Sequence, residues 1–438
     1  MKKRKKKKKT AAPCVVVDLG SCTLKAGFGG ISTTAATWTP DACVSTTTLP
    51  TANRATLLGD AARQQWERRN DLIRPIQRGR ITNLEQLTHL LSHTILNTLD
   101  VTAKSNNILF SDAPGHGYGN RGDREALTEW TFEKLGMQSC MFMPQPVLAA
   151  FATGRTTAMV VDSGYESSSV SSVVDGRIEQ SKVLRVDHQS QESIMLEMLI
   201  RNERVESLDP GGGGGGGGGG RVKGMTPTVD EVGPHCRQMA EQVCYLYLGT
   251  DINKELSSAK AGRTKKKWQL PDGSWLPCSQ ERFLIPEVLF GGAFGNRWKS
   301  LGESGGLGGA VAHQLKECHI QRTREDLAHN ILAVGGRSET ENFDERLQLE
   351  IFHGLGLSTK KKSLEEDDDD DDDEHNPSET KQFRPKMAQN KARSKKRPRK
   401  FATFAGGAML AGLENLRGMW ITKEEFDELG ASAVIDRR

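Results

Sequence analysis

The chain has 438 residues, with 60 Lys or Arg against 56 Asp or Glu, and 36% of its residues are apolar. That length suits two or three ordinary domains or one large bilobed one, and the low apolar share reflects low-complexity inserts. Eight cysteines without a CxxC pair argue against a disulfide scaffold or a zinc knuckle and point to a reducing compartment.

In chain order, residues 2–9 are all Lys or Arg. Such a run repels itself and buries nothing, so residues 1–13 read as a disordered basic arm. No apolar stretch follows to make it a secretory signal. No apolar run reaches the roughly 18 residues of a membrane span. The expectation is a soluble cytosolic or nuclear protein with no membrane partner.

Globular text starts with "VVVDLGSCTLKAGFGG" (15–30). It reads as a β-branched strand, an Asp-x-Gly turn and a second strand. Apolar spacing predicts an amphipathic helix over 83–99, and another over 120–136 with a capping-type start and a Gly stop. The opening pattern returns as "MVVDSGY" (159–165), followed by the strand-like "SSSVSSVVDG". Ten glycines at 211–220 read as a flexible loop or linker. A third variant, "ILAVGGRSE" (331–339), ends a strand in Gly-Gly before a helix over "ENFDERLQLEI". Residues 365–374 are all acidic, and 391–400 hold seven Lys or Arg. Without these charged runs the body is nearly neutral.

The repetition predicts a duplicated α/β architecture with a hairpin opening each half. Two such hairpins suit a polyphosphate. Glycines admit backbone N–H groups to the oxygens, Ser21 donates a hydroxyl, and Lys25 neutralises charge. Asp18 and Asp162 suit a hydrated Mg²⁺. One D-x-G turn is equally well an ordinary hairpin, and the echo leaves both readings open.

The segments "VVVDLGSCTLKAGFGG", "LIRPIQRGRITNLEQL", "ATGRTTAMVVDSG", "WQLPDGSWL" and "MWITKEEFDELG" resemble successive segments of actin, in the right order. The chain is similar to a divergent actin-related protein over most of residues 14–435. The resemblance implies an α/β, actin-like ATPase fold, with two duplicated ribonuclease-H-like domains around a nucleotide cleft. It divides the chain into a first lobe at 14–156, with a small inserted lobe at about 40–75, and a second lobe at 157–359. The second lobe carries an insertion at about 190–285. Residues 360–399 form a disordered insert, and 400–438 return to the first lobe.

The implied cofactor is ATP or ADP with Mg²⁺. By resemblance, Asp18, Gly20, Ser21 and Lys25 match the first phosphate loop, and Asp162, Ser163 and Gly164 match the second. Gln145 matches the residue that positions attacking water. Glu241 matches a ribose or adenine contact, Gly335 and Gly336 the adenosine loop, and Lys400 a basic residue at the adenine edge. Phe151, Gly154 and Thr156 match the floor of a hinge cleft that docks partner helices.

The departures matter as much. Tyr165 and Glu166 replace Asp-Gly, and the bulk and unpaired charge are expected to repel a triphosphate. Ser169 stands where a water-arranging His is expected. Glu339, Thr340, Glu341 and Asn342 replace an aromatic adenine wall. The subunit-gripping loop at 41–57 lacks the family pattern, and the plug near 294–297 gains Asn296 and Arg297. The expectation is weak or lost ATP binding, vestigial hydrolysis at Gln145, and a scaffold role in a complex. Two basic clusters suggest nuclear import, partners in a nuclear complex, and nonspecific contact with nucleic acid. The alternative is a cytoplasmic, cytoskeletal actin-like protein that slowly hydrolyses ATP.

Overall fold

The structure is a computed structural model. It describes residues 14–30, 42–45, 48–50, 56–58, 73–101, 106–114, 121–184, 195, 239–249, 252–269, 275–290, 306–357, 384–388 and 399–436. The basic arm, the decaglycine run, the acidic run and residues 294–297 lie outside the described residues. The chain divides into two compact units. One holds the described residues up to 152 together with 401–436, and the other holds those from 153 to 400.

In the first unit, strands β1 (Cys14–Leu19) and β2 (Thr23–Gly29) form the expected hairpin, and β3 (Ala42–Ser45) pairs with β2. Short pairs follow, β4 (Thr48–Pro50) with β5 (Thr56–Leu58) and β6 (Ile76–Gln77) with β7 (Arg80–Ile81). The described residues of the 41–57 stretch are therefore in strands despite its unfamiliar sequence. Helix α1 (Leu84–Ser92) starts where the Asn83 side chain accepts from the Gln86 N–H, and it widens into a π-turn over His93–Thr98. After β8 (Asn107–Asp112), helix α2 (Arg121–Glu129) ends the same way over Trp130–Leu135, at a left-handed Gly136. Strand β9 (Ser139–Pro144) and helix α3 (Gln145–Ala152) complete this part.

The second unit opens on the repeated hairpin, β10 (Ala158–Ser163) and β11 (Ser168–Val174), and continues with β12 (Arg177–Leu184). Next come α4 (Ile252–Lys260), a two-stranded sheet of β13 (Lys266–Gln269) and β14 (Trp275–Cys278), and α5 (Glu281–Glu287). Then follow α6 (Gly306–Glu317), α7 (Gln321–His329), β15 (Ile331–Val334) and α8 (Phe343–Leu355). The chain returns to the first unit with α9 (Ala402–Leu410), β16 (Ile421–Thr422) and α10 (Lys423–Asp436).

The first sheet has the order β16-β9-β8-β1-β2-β3, with β1, β8 and β9 parallel to their neighbours in that trio. The second has the order β12-β11-β10-β15, with β10 and β15 parallel. Each sheet thus runs an antiparallel hairpin into a parallel strand, which is the duplication the sequence spells.

Strand β1 is apolar from Cys14 to Val17 because both of its faces are covered there. Val15 and Val17 join Ile108, Phe110 and the apolar faces of α1 and α2 in one core. The opposite face meets α9, whose sequence ATFAGGAML is apolar all round and largely buried. Helix α9 also packs on α3 without any gap, and a Cβ at Gly406 would sit 1.8 Å from the Leu148 carbonyl oxygen. In the second unit Met159, Val161, Val170, Leu315, Ile331 and Leu347 form the corresponding core. Each fully buried side chain of this size contributes about 1.5–3 kcal/mol.

Candidate functional site

The first hairpin turns over Gly20, Ser21, Cys22 and Thr23. The turn is tight, since a Cβ at Gly20 would lie 2.6 Å from the Thr23 carbonyl oxygen. Register places Asp18 opposite Lys25. Their side chains form an ion pair at 2.6 Å, with Asp18 almost fully buried. The other Asp18 oxygen accepts from the Ser111 hydroxyl at 2.8 Å. Ser111 in turn accepts from the Leu19 N–H at 3.0 Å and from the Gln145 amide at 3.2 Å. The same amide nitrogen reaches the Leu19 carbonyl at 3.3 Å. Four side chains from three strands and one helix therefore lock one another, and the Gln145 amide has a fixed orientation.

The sequence points to Asp18, Gly20, Ser21, Lys25 and Gln145, and the fold adds Ser111 to them. The signal was there: Ser111 ends β8, beside Asp18, at the carboxyl edge of parallel strands where α/β proteins place ligands. The next residue, Asp112, is pushed above the usual carboxylate range by burial, while the neighbouring Arg124 pulls it back.

The second hairpin repeats the geometry with other chemistry. It turns over Gly164, Tyr165, Glu166 and Ser167, and the Gly164 N–H donates to the Ser167 carbonyl at 3.0 Å. Asp162 stands opposite Ser169, so the position equivalent to Lys25 carries no charge. Ser163 is buried and shares a hydrogen bond with Ser168 at 3.2 Å. At the tip, the Arg337 guanidinium lies 5.9 Å from the Tyr165 ring centre. Glu166 corrects one expectation: it is buried and partnered within the protein, rather than an unpaired charge.

Gly335 is packed against this hairpin. Its φ is 87°, and an added Cβ would come within 2.4 Å of Asp162 Oδ1 and of the Ser163 carbonyl oxygen. Only glycine satisfies both limits. Gly336 starts the three-ten turn Gly336–Glu339, with open space where a side chain would begin. The Lys400 N–H donates to Glu339 at 3.1 Å, and the Arg399 carbonyl accepts from the Gly335 N–H at 3.4 Å. Arg399 anchors this junction through a two-pronged ion pair with Asp344, its nitrogens 2.8 and 2.6 Å from the carboxylate. The sequence points to Lys400, and the fold adds Arg399.

The residues that replace the aromatic wall are used internally. The Glu341 carbonyl accepts from the Leu246 N–H, and the Asn342 side chain donates to the Leu246 carbonyl at 3.0 Å. Glu241 is exposed in a helical turn ahead of this segment. Phe151 is half-buried near the end of α3, Gly154 has φ 75°, and the Thr156 carbonyl accepts from the Gly176 N–H. Among the described residues no group of three or more His, Cys, Asp or Glu is placed to hold a metal directly. No described helix is long and apolar enough to cross a membrane.

Comparison with known proteins meets this geometry. The actin family model matches residues 9–208 and 230–438. The chain is 26% identical to mouse "Actin-like protein 9" over 428 residues, which is 96% of this chain and 87% of the relative. The paired hairpins, their parallel partner strands and these matches agree, and the chain belongs to the actin family, as a divergent actin-related protein with the actin-like α/β fold.

Proposed function

We propose that this chain serves as a scaffold or complex subunit in which ATP binding is weak or lost. One observation carries the reading: the second hairpin tip presents Tyr165 beside Arg337 and a buried Glu166, where the first presents Ser21 and Lys25. The first hairpin fits a phosphate, with Lys25 and Ser21 as donors and Asp18 near a hydrated cation. When bound, Mg²⁺ would neutralise phosphate charge there. The second hairpin does not fit. Ser169 faces Asp162 where the first hairpin has Lys25, the Gly164 N–H is already donated, and the tip is bulky. Equilibrium binding of labelled ATP with Mg²⁺ tests the proposal. The expected dissociation constant is weaker than micromolar, with no steady turnover; tight binding with turnover would sink it.

The basic runs at 2–9 and 391–400 support nuclear import and a place in a nuclear assembly, such as a chromatin-remodelling complex. Imaging of tagged protein with and without residues 2–9 checks this, and affinity purification with mass spectrometry names the partners. Residues Phe151, Gly154 and Thr156 are the proposed docking point for a partner helix. The intact cluster of Asp18, Lys25, Ser111 and Gln145 favours a second reading, a cytoskeletal protein that hydrolyses ATP slowly. Regular filaments in sedimentation and electron microscopy with Mg-ATP would favour it.

A further inference from the structure

The small sheet β13–β14 carries a pattern that the phosphate hairpins do not use. Residues 260–269 include Lys260, Arg263, Lys265, Lys266 and Lys267, and no acid. One face of the sheet is sealed to the protein. Trp268, Leu276 and Cys278 are buried there with Met239, Val243 and Ile285. Lys266 is tied back as well, donating to the Gln242 carbonyl at 3.2 Å. The two-residue alternation sends the cross-strand pairs Lys267–Pro277 and Gln269–Trp275 to the other face. All four residues are exposed, Trp275 at 53%. Glu281, which follows β14, is buried and accepts from the Ser279 N–H, so its carboxylate is turned inward.

We propose that this face binds single-stranded nucleic acid, with the Trp275 indole stacking on a base and Lys267 and Lys265 holding flanking phosphates. The register supports the division of labour. Lys267 lies diagonally across from Trp275, a separation of about 7–8 Å on a sheet face. That spacing lets one nucleotide engage both residues. The buried Trp268–Leu276 pair behind them makes the platform rigid, so little order is lost on binding. An acidic peptide would satisfy the lysines but leave the indole without a flat partner. A duplex would hide its bases from it. The terminal basic run and the 391–400 run attract any polyanion, but Lys and Arg alone supply no stacking surface.

Fluorescence anisotropy with the full-length protein and a labelled oligo-dT of about fifteen nucleotides tests the proposal. Trp275→Ala should weaken binding at least about fivefold at unchanged net charge, and Trp275→Phe should restore most of it. Lys267→Ala should reduce the logarithmic salt slope by about 0.7. Trp275 and Lys267 are exposed, so unchanged thermal melting is expected and confirms that both variants fold. Oligo-dT binding by Trp275→Ala equal to that of the unsubstituted protein overturns the proposal and leaves the basic runs as the whole explanation. Displacement of oligo-dT from the unsubstituted protein by a poly-glutamate peptide as readily as by unlabelled oligo-dT also overturns it.

Discussion

The hairpins β1–β2 and β10–β11 share length, register and turn, yet their charged residues do different work. In the first, a buried carboxylate pairs with the opposing Lys25 and accepts from the Ser111 hydroxyl. In the second, Asp162 faces Ser169 and is wedged against Gly335. The turn is stabilised by its own backbone bond and by an aromatic–guanidinium contact. The duplication preserves backbone geometry, because strand pairing and glycine turns fix it. It does not preserve chemistry, because that rests on one or two side chains at the tip and one across the ladder.

The difference can be broken from either side. Gly335→Ala should have the largest effect. It forces a side chain into a positive-φ backbone against Asp162 and Ser163, at a cost of about 3 kcal/mol or more. Urea unfolding should show the second unit's transition shifted down; an unshifted transition would mean the close approach is relieved by small movements. Asp18→Ala should follow, at about 2–4 kcal/mol, because it leaves Lys25 charged and only 14% exposed, and removes an acceptor from Ser111. Here the first unit's transition should fall, with the second unit's unchanged.

Replacing the second tip sharpens the comparison in the other direction. Tyr165→Gly with Glu166→Gly should raise affinity for labelled Mg-ATP about tenfold, or ~1.4 kcal/mol. Unaltered affinity would locate the defect elsewhere, with Ser169, which stands where the first hairpin has Lys25, as the next candidate. The smallest effect separates the hairpins by pH. Cys14 in β1 has Ala158 as its counterpart in β10. Burial pushes the Cys14 thiol well above 9.0, and pushes Cys140 in β9 to about 12. Because the folded state holds these protons more tightly, the thiols' stabilising contribution is complete below pH 9 and is lost as pH rises beyond it. Each thiol should cost about 1 kcal/mol by pH 10, read as a falling melting temperature. Cys14→Ala should flatten that fall.

Both hairpins, the strand before Gly335, and the helices near 83–99 and 120–136 were legible as sequence. Their periodicity, β-branched runs and turn glycines are local properties that any single segment displays. The same is true of Asp18, Lys25 and Asp162, whose spacing from the turn glycine is fixed along the chain. Ser111, Arg399 and Glu166 were not legible as contributors. Ser111 is distant in sequence from Asp18, and only the parallel pairing of β1 with β8 brings them together. Arg399 matters because a returning segment docks on the turn after β15. Glu166 looked like an exposed repulsive charge until folding buried it. Sequence by itself determined the repeated strand–turn–strand units, since short-range sterics and periodicity encode them. Tertiary structure alone decided which polar side chains meet, because burial and long-range pairing depend on chain segments that no local pattern can foresee.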